Sequence, residues 1–351
     1  MTSPLNDRKM QHIRACLDDS VDLQRDSFAG VKLLYNALPE RSLDEVSTET
    51  DFAGETISAP LIISSMTGGV GDEFVSINRN LARAAQELNI PLGLGSMKVM
   101  LRHKEAEPSF RVRDVAPKVK LIANLGLVSF NYGLTFDDVQ RIIDVVQPNA
   151  FALHLNALQE VIQVGGDTNF KGLLVHLEEI VRRCPVPVVV KECGGGIAPA
   201  LVYKLADLGV AYVDVSGNDG TSWASVEGQV GGNDMGELFR DFGLPTRWIL
   251  ENLESARLGN TRIIASGGMR DGIQAAKALA LGGSYVAVAR PFLLAALKSA
   301  EDVIATGRRM ITELRTATFL VGASRVKQLD RSFLFAPLSL RERSPEGRER
   351  V

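Results

Sequence analysis

Four polar residues close an otherwise apolar run in FALHLNALQE, residues 151–160: His154, Asn156, Gln159 and Glu160. An imidazole, two amides and a carboxylate so close together can hold an anion, ligate a hard cation or move a proton. Burying them unpaired would be costly, so the run needs either local hydrogen-bond partners or a ligand. Strand alternation puts Ala152, His154 and Asn156 on one face and Phe151, Leu153 and Leu155 on the other. If the apolar face meets helices, the polar face points into an opening.

A second set of candidates carries glycine. Lys191 ends the apolar run VPVVVKECGGG, beside Glu192 and Cys193. It could pair with Asp214, form a Schiff base, or hold an electron-rich cofactor in its anionic state; residue type alone leaves these open. ASGGMRDG (265–272) runs directly into an apolar-periodic segment, and GNDGTSW (217–223) follows another β-branched run. Glycine amides at a helix start are suited to phosphate, which makes Gly267, Gly268, Arg270 and the Ala289–Arg290 backbone candidates, with Gly220 and the Thr221 hydroxyl nearby. A tight turn explains any one such loop, and an ion pair is the plainer reading of Arg270 alone. Several glycine loops converging on one face point instead to a phosphorylated ligand.

That convergence requires particular elements. Eight short runs recur: APLIISSMTGG, IPLGLGSMKV, KVKLIANLGLV, AFALHLNAL, VPVVVKECGGG, VAYVDVSGNDG, TRIIASGGM and SYVAVARP. Segments with helical periodicity separate them, among them FVSINRNLARAAQELN and GLLVHLEEIVRRC. The alternation predicts an α/β fold, a (β/α)8 TIM barrel over residues 60–325, and the polar ends of its strands then share one rim. An open doubly wound sheet is the alternative, and HKEAEPSFRVRDVAP is the weakest helical segment. Residues 1–59 read as an N-terminal extension covering or extending the barrel, and 326–351 as a charged tail with a frayed end, RERSPEGRERV.

The whole chain narrows the classes. With 351 residues, 45% hydrophobic and 23% charged, it reads as an ordinary globular protein; a net charge of −3 supplies no global field for nucleic acid or anionic membrane. Any anion must be held locally. Cys16, Cys184 and Cys193 are too scattered for a disulfide framework or metal site, which fits a reducing cytoplasm. No signal-like start is present, and VAVARPFLLAALKSA is broken by Arg290 and Pro291, so neither export nor membrane insertion is expected.

The ordered motifs resemble the type 2, FMN-dependent isopentenyl-diphosphate isomerases: Arg8-Lys9 with His12, MTGG (66–69), GLGS (93–96), ANLG (123–126), HLNALQE (154–160), GD-NF (166–170), KECGGG (191–196), SG--GTSW (216–223), ASGGMRDG and ARP (289–291). The resemblance implies a flavin barrel that moves a double bond from isopentenyl to dimethylallyl diphosphate, using FMN reduced by NAD(P)H as the acid/base group, with Mg²⁺. It implies FMN contacts for Met66, Thr67, Ser96, Asn124, Lys191, Ser216, Thr221, Gly267, Gly268, Arg270, Ala289 and Arg290. Lys191 would stabilise negative charge on the flavin. His154 and Asn156 would meet the diphosphate, joined by Arg8, Lys9, Ser96 and Lys98; Gln159 would face the reacting carbons and Glu160 the Mg²⁺. The resemblance also implies a homotetramer or homo-octamer, the usual assemblies of the family.

Departures from the family pattern are Met97 and Lys98 in place of glutamine and arginine, Asp219 in place of a glycine near the expected FMN phosphate, and Ala157 where proline is common. Asp219 would repel phosphate unless it turns away or finds a cation. His103 and His176 have no clustered ligands and read as surface or helix residues. Two other functions fit the same motifs. One is an FMN-dependent oxidoreductase of the 2-hydroxy-acid oxidase or dehydrogenase type, which would need an active-site histidine late in the chain, where none follows His176. The other is a non-catalytic flavin or prenyl-diphosphate binder, against which stands the pairing of Gln159 with Glu160.

Overall fold

A computed structural model describes residues 4–335 of the chain; the terminal RERSPEGRERV lies outside the described residues. Among the described residues there are ten strands, β1 (Thr50–Phe52), β2 (Glu55–Ile57), β3 (Leu61–Ile63), β4 (Leu92–Gly93), β5 (Leu121–Gly126), β6 (Ala150–Leu155), β7 (Val188–Glu192), β8 (Tyr212–Asp214), β9 (Arg262–Ala265) and β10 (Tyr285–Val288). Strands β3 to β10 pair in parallel in chain order and close between β10 and β3, so the eight runs read from the sequence are the eight staves of one barrel. The expected (β/α)8 architecture is therefore present, and the open sheet is excluded by the β10–β3 pairing.

Alternation along each strand builds two cores. Leu61, Ile63, Phe151, Leu153, Val188, Val190, Val286 and Val288 face outward into the layer shared with the helices. Ile62, Ile122, Ala150, Ala152, Val189, Tyr212, Ile264, Tyr285 and Ala287 face the barrel axis. Alanine at three of these inner positions leaves room for aromatic rings. Phe52, from the β1–β2 hairpin, enters the end opposite the rim, stacking on Tyr212 at 4.9 Å and meeting Tyr285 edge-on at 5.7 Å. The Ala53 amide donates to the Tyr212 hydroxyl at 2.9 Å, so the hairpin plugs that end. Phe52→Ala would open the plug at a cost of about 3–5 kcal/mol.

The helices start and stop where local chemistry allows. Asp72–Leu88 carries acids in its first turn, buries Phe74, Ile77, Leu81, Ala85 and Leu88 at helical spacing, and ends on left-handed Asn89. Phe136–Val146 opens with a capping box between Thr135 and Asp138. The weakly patterned segment, residues 103–117, holds only a 3₁₀ helix, Lys104–Ser109, through Pro108, just after the five-residue helix Lys98–Arg102. Proline and sparse apolar spacing prevent anything longer.

Candidate functional site

The ladder fixes the depth of each rim residue. Gly126, His154, Lys191, Asp214 and Ile264 lie at one level across five adjacent strands. Asn124 sits just below; its Nδ2 donates to the Leu94 carbonyl at 3.2 Å, which turns its Oδ1 toward His154 Nδ1 at 2.9 Å. An amide oxygen can only accept, so Nδ1 carries the ring proton and Nε2 is left bare. Burial, and then the charges of Lys191 and Lys98, push the imidazole down to about 3. At that value the His154 ring is neutral near pH 7.

Lys191 is buried with its Nζ donating to the Glu192 carbonyl at 2.6 Å and lying 3.9 Å from Cys193 Sγ. Burial alone would lower the ammonium, but Cys193, Asp214 and Glu192 more than offset that and hold it above its ordinary value. Asp214 accepts from Ser266 Oγ, and burial raises its pKa. Lys191 and Asp214 face a cavity of about 20 Å³ lined also by Ser64 and Ser65. The Glu192 carboxylate binds the amides of Gly194, Gly195 and Gly196, which fixes the loop that follows. Burial pushes the Cys193 thiol up to about 11, which keeps it inert.

The polar ending of HLNALQE forms one network. Asn156 Nδ2 donates to Gln159 Oε1 at 3.2 Å and to Glu160 Oε1 at 2.8 Å, while Glu160 Oε2 accepts the Asp167 amide at 2.7 Å. Gln159 Nε2 donates to Glu227 at 2.7 Å. Asn156 is buried, and its Oδ1 has no protein partner. An orphan amide oxygen beside a carboxylate is an oxygen-only donor set of the kind Mg²⁺ takes, but too small to hold the ion without ligand oxygens and water. Among the described residues no group of three or more His, Cys, Asp or Glu forms a metal cage.

Glu227 is the residue that sequence reading missed. It is 1% exposed and lies 3.1 Å from His12 Nε2 and 3.6 Å from Arg8, both on the N-terminal helix Pro4–Leu17. Burial would raise this carboxyl, but the His12 and Gln159 contacts and the Arg8 charge bring it below its ordinary value. The signal was a lone acid in the apolar WASVEG turn, four residues from Trp223 and so on its helical face. Trp223 meets His12 edge-on at 5.9 Å. Lys9 Nζ donates to the Gly68 carbonyl within MTGG, and burial lowers it to about 8. The helix thus brings Arg8, Lys9 and His12 over the rim.

The phosphate corner is built differently from expectation in one respect. Gly267 and Gly268 are left-handed and packed so tightly that an added Cβ would meet Gly217 O at 2.1 Å and Asp219 O at 2.6 Å. Segment 21–27 lies over this corner: Leu23 N to Gly220 O at 3.0 Å, Ser222 N to Val21 O at 2.8 Å, Ser27 Oγ to Gly267 O at 3.1 Å. Arg270 and Arg290 both grip buried Asp22, at 2.8 and 3.4 Å, and also hold backbone carbonyls of Cys16, Leu17, Arg25 and Gly268. Their guanidinium groups therefore fasten the N-terminal segment. Thr221 lies in the same corner, bridged to Asp22, and Ala289 precedes the helix Arg290–Ala296. Asp219 turns onto the Thr246 amide at 2.9 Å, an internal partner that removes the expected clash. Met97 is fully buried in the outer core and does not reach the mouth, so its replacement of glutamine is a packing change. Lys98 pairs with Asp167 at 2.5 Å.

Met66, Thr67 and Ser96 stand at the rim beside β3 and β4; the Thr67 carbonyl receives Gly95 N at 3.1 Å and Asn78 Nδ2 at 3.2 Å. Ser216, after β8, is held at φ +40°, a strained non-glycine position of the sort that clusters at functional sites. The donors fit a flavin nucleotide: glycine amides at one end, a buried cation at the other. His103 and His176 stand apart, the latter against Phe130.

Known proteins bear on this geometry. The FMN-dependent dehydrogenase family matches residues 140–336. The isopentenyl-diphosphate delta-isomerase of Deinococcus radiodurans is 43% identical over 93% of this chain and 97% of its own length. That of Thermococcus kodakarensis is 40% identical over 92% and 89%. Among solved structures, a flavocytochrome b2 variant with pyruvate bound superposes with a TM-score of 0.70 at 19% identity, over 95% of this chain and 84% of that one. A mandelate oxidase variant with (S)-mandelic acid gives 0.66 at 19%, over 96% and 99%. At that identity the likeness is one of fold.

Proposed function

This chain belongs to the isopentenyl-diphosphate delta-isomerase family, on a barrel of the FMN-dependent dehydrogenase type, and from that premise we propose how its rim residues perform the reaction. The protein is an isomerase that converts isopentenyl to dimethylallyl diphosphate, with FMN as cofactor. When bound and reduced, FMN would supply the acid/base chemistry of the double-bond shift, through the proton-exchanging face of an electron-rich ring. Met66, Thr67, Ser96, Asn124, Ser216 and Thr221 would line the flavin, and the Gly267 and Gly268 amides would take its phosphate, with Ala289 at the edge. Arg270 and Arg290 would act there through Asp22, by clamping segment 21–27 over the nucleotide end.

Lys191 supports this reading because its ammonium stays charged in a buried site, where it can stabilise negative charge on a cofactor. Arg8, Lys9, Ser96, Lys98, His154 and Asn156 would hold the diphosphate, which explains how an acidic protein takes a polyanion. Glu160, with Asn156 Oδ1, would hold Mg²⁺ once diphosphate oxygens complete its shell. Gln159 has its amide fixed on both sides, by Asn156 and Glu227, so it would present one orientation to the reacting carbons without supplying a charge that quenches a developing cation. Assembly would be a homotetramer or homo-octamer, to be read by light scattering. No helix among the described residues is long and apolar enough to cross a membrane, and a cytoplasmic setting with NAD(P)H as reductant suits the unpaired thiols.

The observation that carries the proposal is the continuous Glu160–Asn156–Gln159–Glu227 network beside Lys191, under a helix that delivers Arg8 and Lys9. An anaerobic assay with isopentenyl diphosphate, FMN, NADPH and Mg²⁺, omitting each in turn, tests it. Turnover should require reduced flavin and Mg²⁺. Full turnover with the flavin kept oxidised would refute the mechanism.

A further inference from the structure

The GD-NF motif has no role in the proposal above, yet its aspartate joins two of that proposal's ligand sites. The Asp167 amide donates to Glu160 Oε2 at 2.7 Å, and its carboxylate holds Lys98 Nζ at 2.5 Å. The join is rigid. A Cβ at Gly166 would lie 2.0 Å from the Glu160 carbonyl and 3.0 Å from Glu160 Oε2, so only glycine lets the loop wrap this closely. The chain beyond is tied down by Asn131 Nδ2, which donates to the carbonyls of Asn169 at 2.7 Å and Lys171 at 2.9 Å, and by the Tyr132 hydroxyl, which accepts the Asn169 amide at 3.0 Å. Lys98 and Asp167 are each about one-quarter exposed, at 26% and 23%, so their pairing is shielded from bulk water but open to displacement.

Resting on the diphosphate and Mg²⁺ reading, we infer that Asp167 is a positioning residue that couples the two ligands. Before substrate arrives, Asp167 neutralises Lys98 and Lys98 neutralises Asp167. A diphosphate that draws Lys98 to itself leaves the Asp167 carboxylate without its counter-charge while its amide stays on Glu160. Negative charge beside Glu160 then rises as the anion binds, and the rim's affinity for a divalent cation rises with it. Reciprocally, a bound cation draws on Asp167 and releases Lys98 for the diphosphate. Asn156, whose buried Oδ1 has no protein partner, donates through Nδ2 to the other oxygen of Glu160, within the network the cation would join.

Asp167→Asn separates this role from a structural one because it keeps the backbone amide that holds Glu160. Calorimetry on the FMN-loaded enzyme would measure inorganic pyrophosphate binding, once with EDTA and once with saturating Mg²⁺; chelation in solution is the same for both proteins and cancels from their ratio. The variant should bind metal-free pyrophosphate about 3–10-fold more tightly and the Mg²⁺ form about 3–10-fold more weakly. In a Lys98→Met background the first effect should vanish. Weakening of both forms together, or no change in either, would overturn the coupling. Failure of the wild-type protein to bind pyrophosphate in either form would overturn the diphosphate reading itself, a different result from either.

Discussion

If His154 contacts the diphosphate, its ring must change charge on binding. In the free protein its one proton is committed to Asn124 Oδ1, and a bare Nε2 facing a phosphate oxygen would repel it. The imidazole stands at about 3, so bringing it past 7 requires roughly 5 kcal/mol of added stabilisation of the cation. One negative charge about 4 Å away supplies on the order of 4 kcal/mol at an effective dielectric of ~20, and a diphosphate carries more than one. The two numbers are close enough that protonation follows binding. Wild-type enzyme should therefore take up close to one proton more than His154→Gln on binding inorganic pyrophosphate near pH 7.5. Calorimetry in buffers of different ionisation enthalpy measures the uptake, and the variant subtracts protons that belong to pyrophosphate. Equal uptake by both proteins would refute the reasoning and remove His154 from the diphosphate site.

Glu227→Gln should lower kcat about 100-fold or more, because Gln159 loses its carboxylate anchor, and should raise KM several-fold as well, because the helix that carries Arg8 and Lys9 loses the same anchor; steady-state kinetics would check both. The same carboxyl, lowered in the folded protein, stabilises the docked N-terminal helix fully above its unfolded pKa and loses that contribution as pH falls through the folded value. The protection factors of amides 8–17, which correct for the intrinsic pH dependence of exchange, should accordingly fall on acidification below about pH 4.5. Asp22→Asn should cost about 1–3 kcal/mol in urea melts, less than a fully buried ion pair because the Arg270 side chain is 32% exposed, and should loosen FMN as measured by flavin fluorescence. Gly166→Ala should raise the Mg²⁺ concentration needed for half-maximal turnover several-fold, since its Cβ displaces the segment carrying Glu160.

Much of this molecule was legible because it is local. Runs such as VPVVVK and SYVAVA announce buried parallel strands, and the 2-residue alternation through Ala152, His154 and Asn156 places the polar pair on the inner face. The rim followed from strand ends. What stayed hidden depends on pairs far apart in the chain. Nothing near Asp22 reveals that Arg270 and Arg290 close on it across more than 240 residues. Nor does the sequence say that Met97 faces the helices and not the mouth, since one turn of backbone after β4 decides it. Glu227 gave a local hint, an acid in an apolar helical turn, but its partner Gln159 lies 68 residues away. Asp219 reads as a liability for phosphate until the Thr246 amide is seen to hold it.

The central claim is that flavin and prenyl diphosphate share the C-terminal rim of one barrel. A crystal structure with reduced FMN, isopentenyl diphosphate and Mn²⁺ in place of Mg²⁺ measures this directly, the metal located by its anomalous signal. The anomalous peak is expected against Glu160, the flavin ring beside Lys191 and the FMN phosphate on Gly267 and Gly268. A metal peak elsewhere, with the two organic ligands at opposite ends of the barrel, would contradict it.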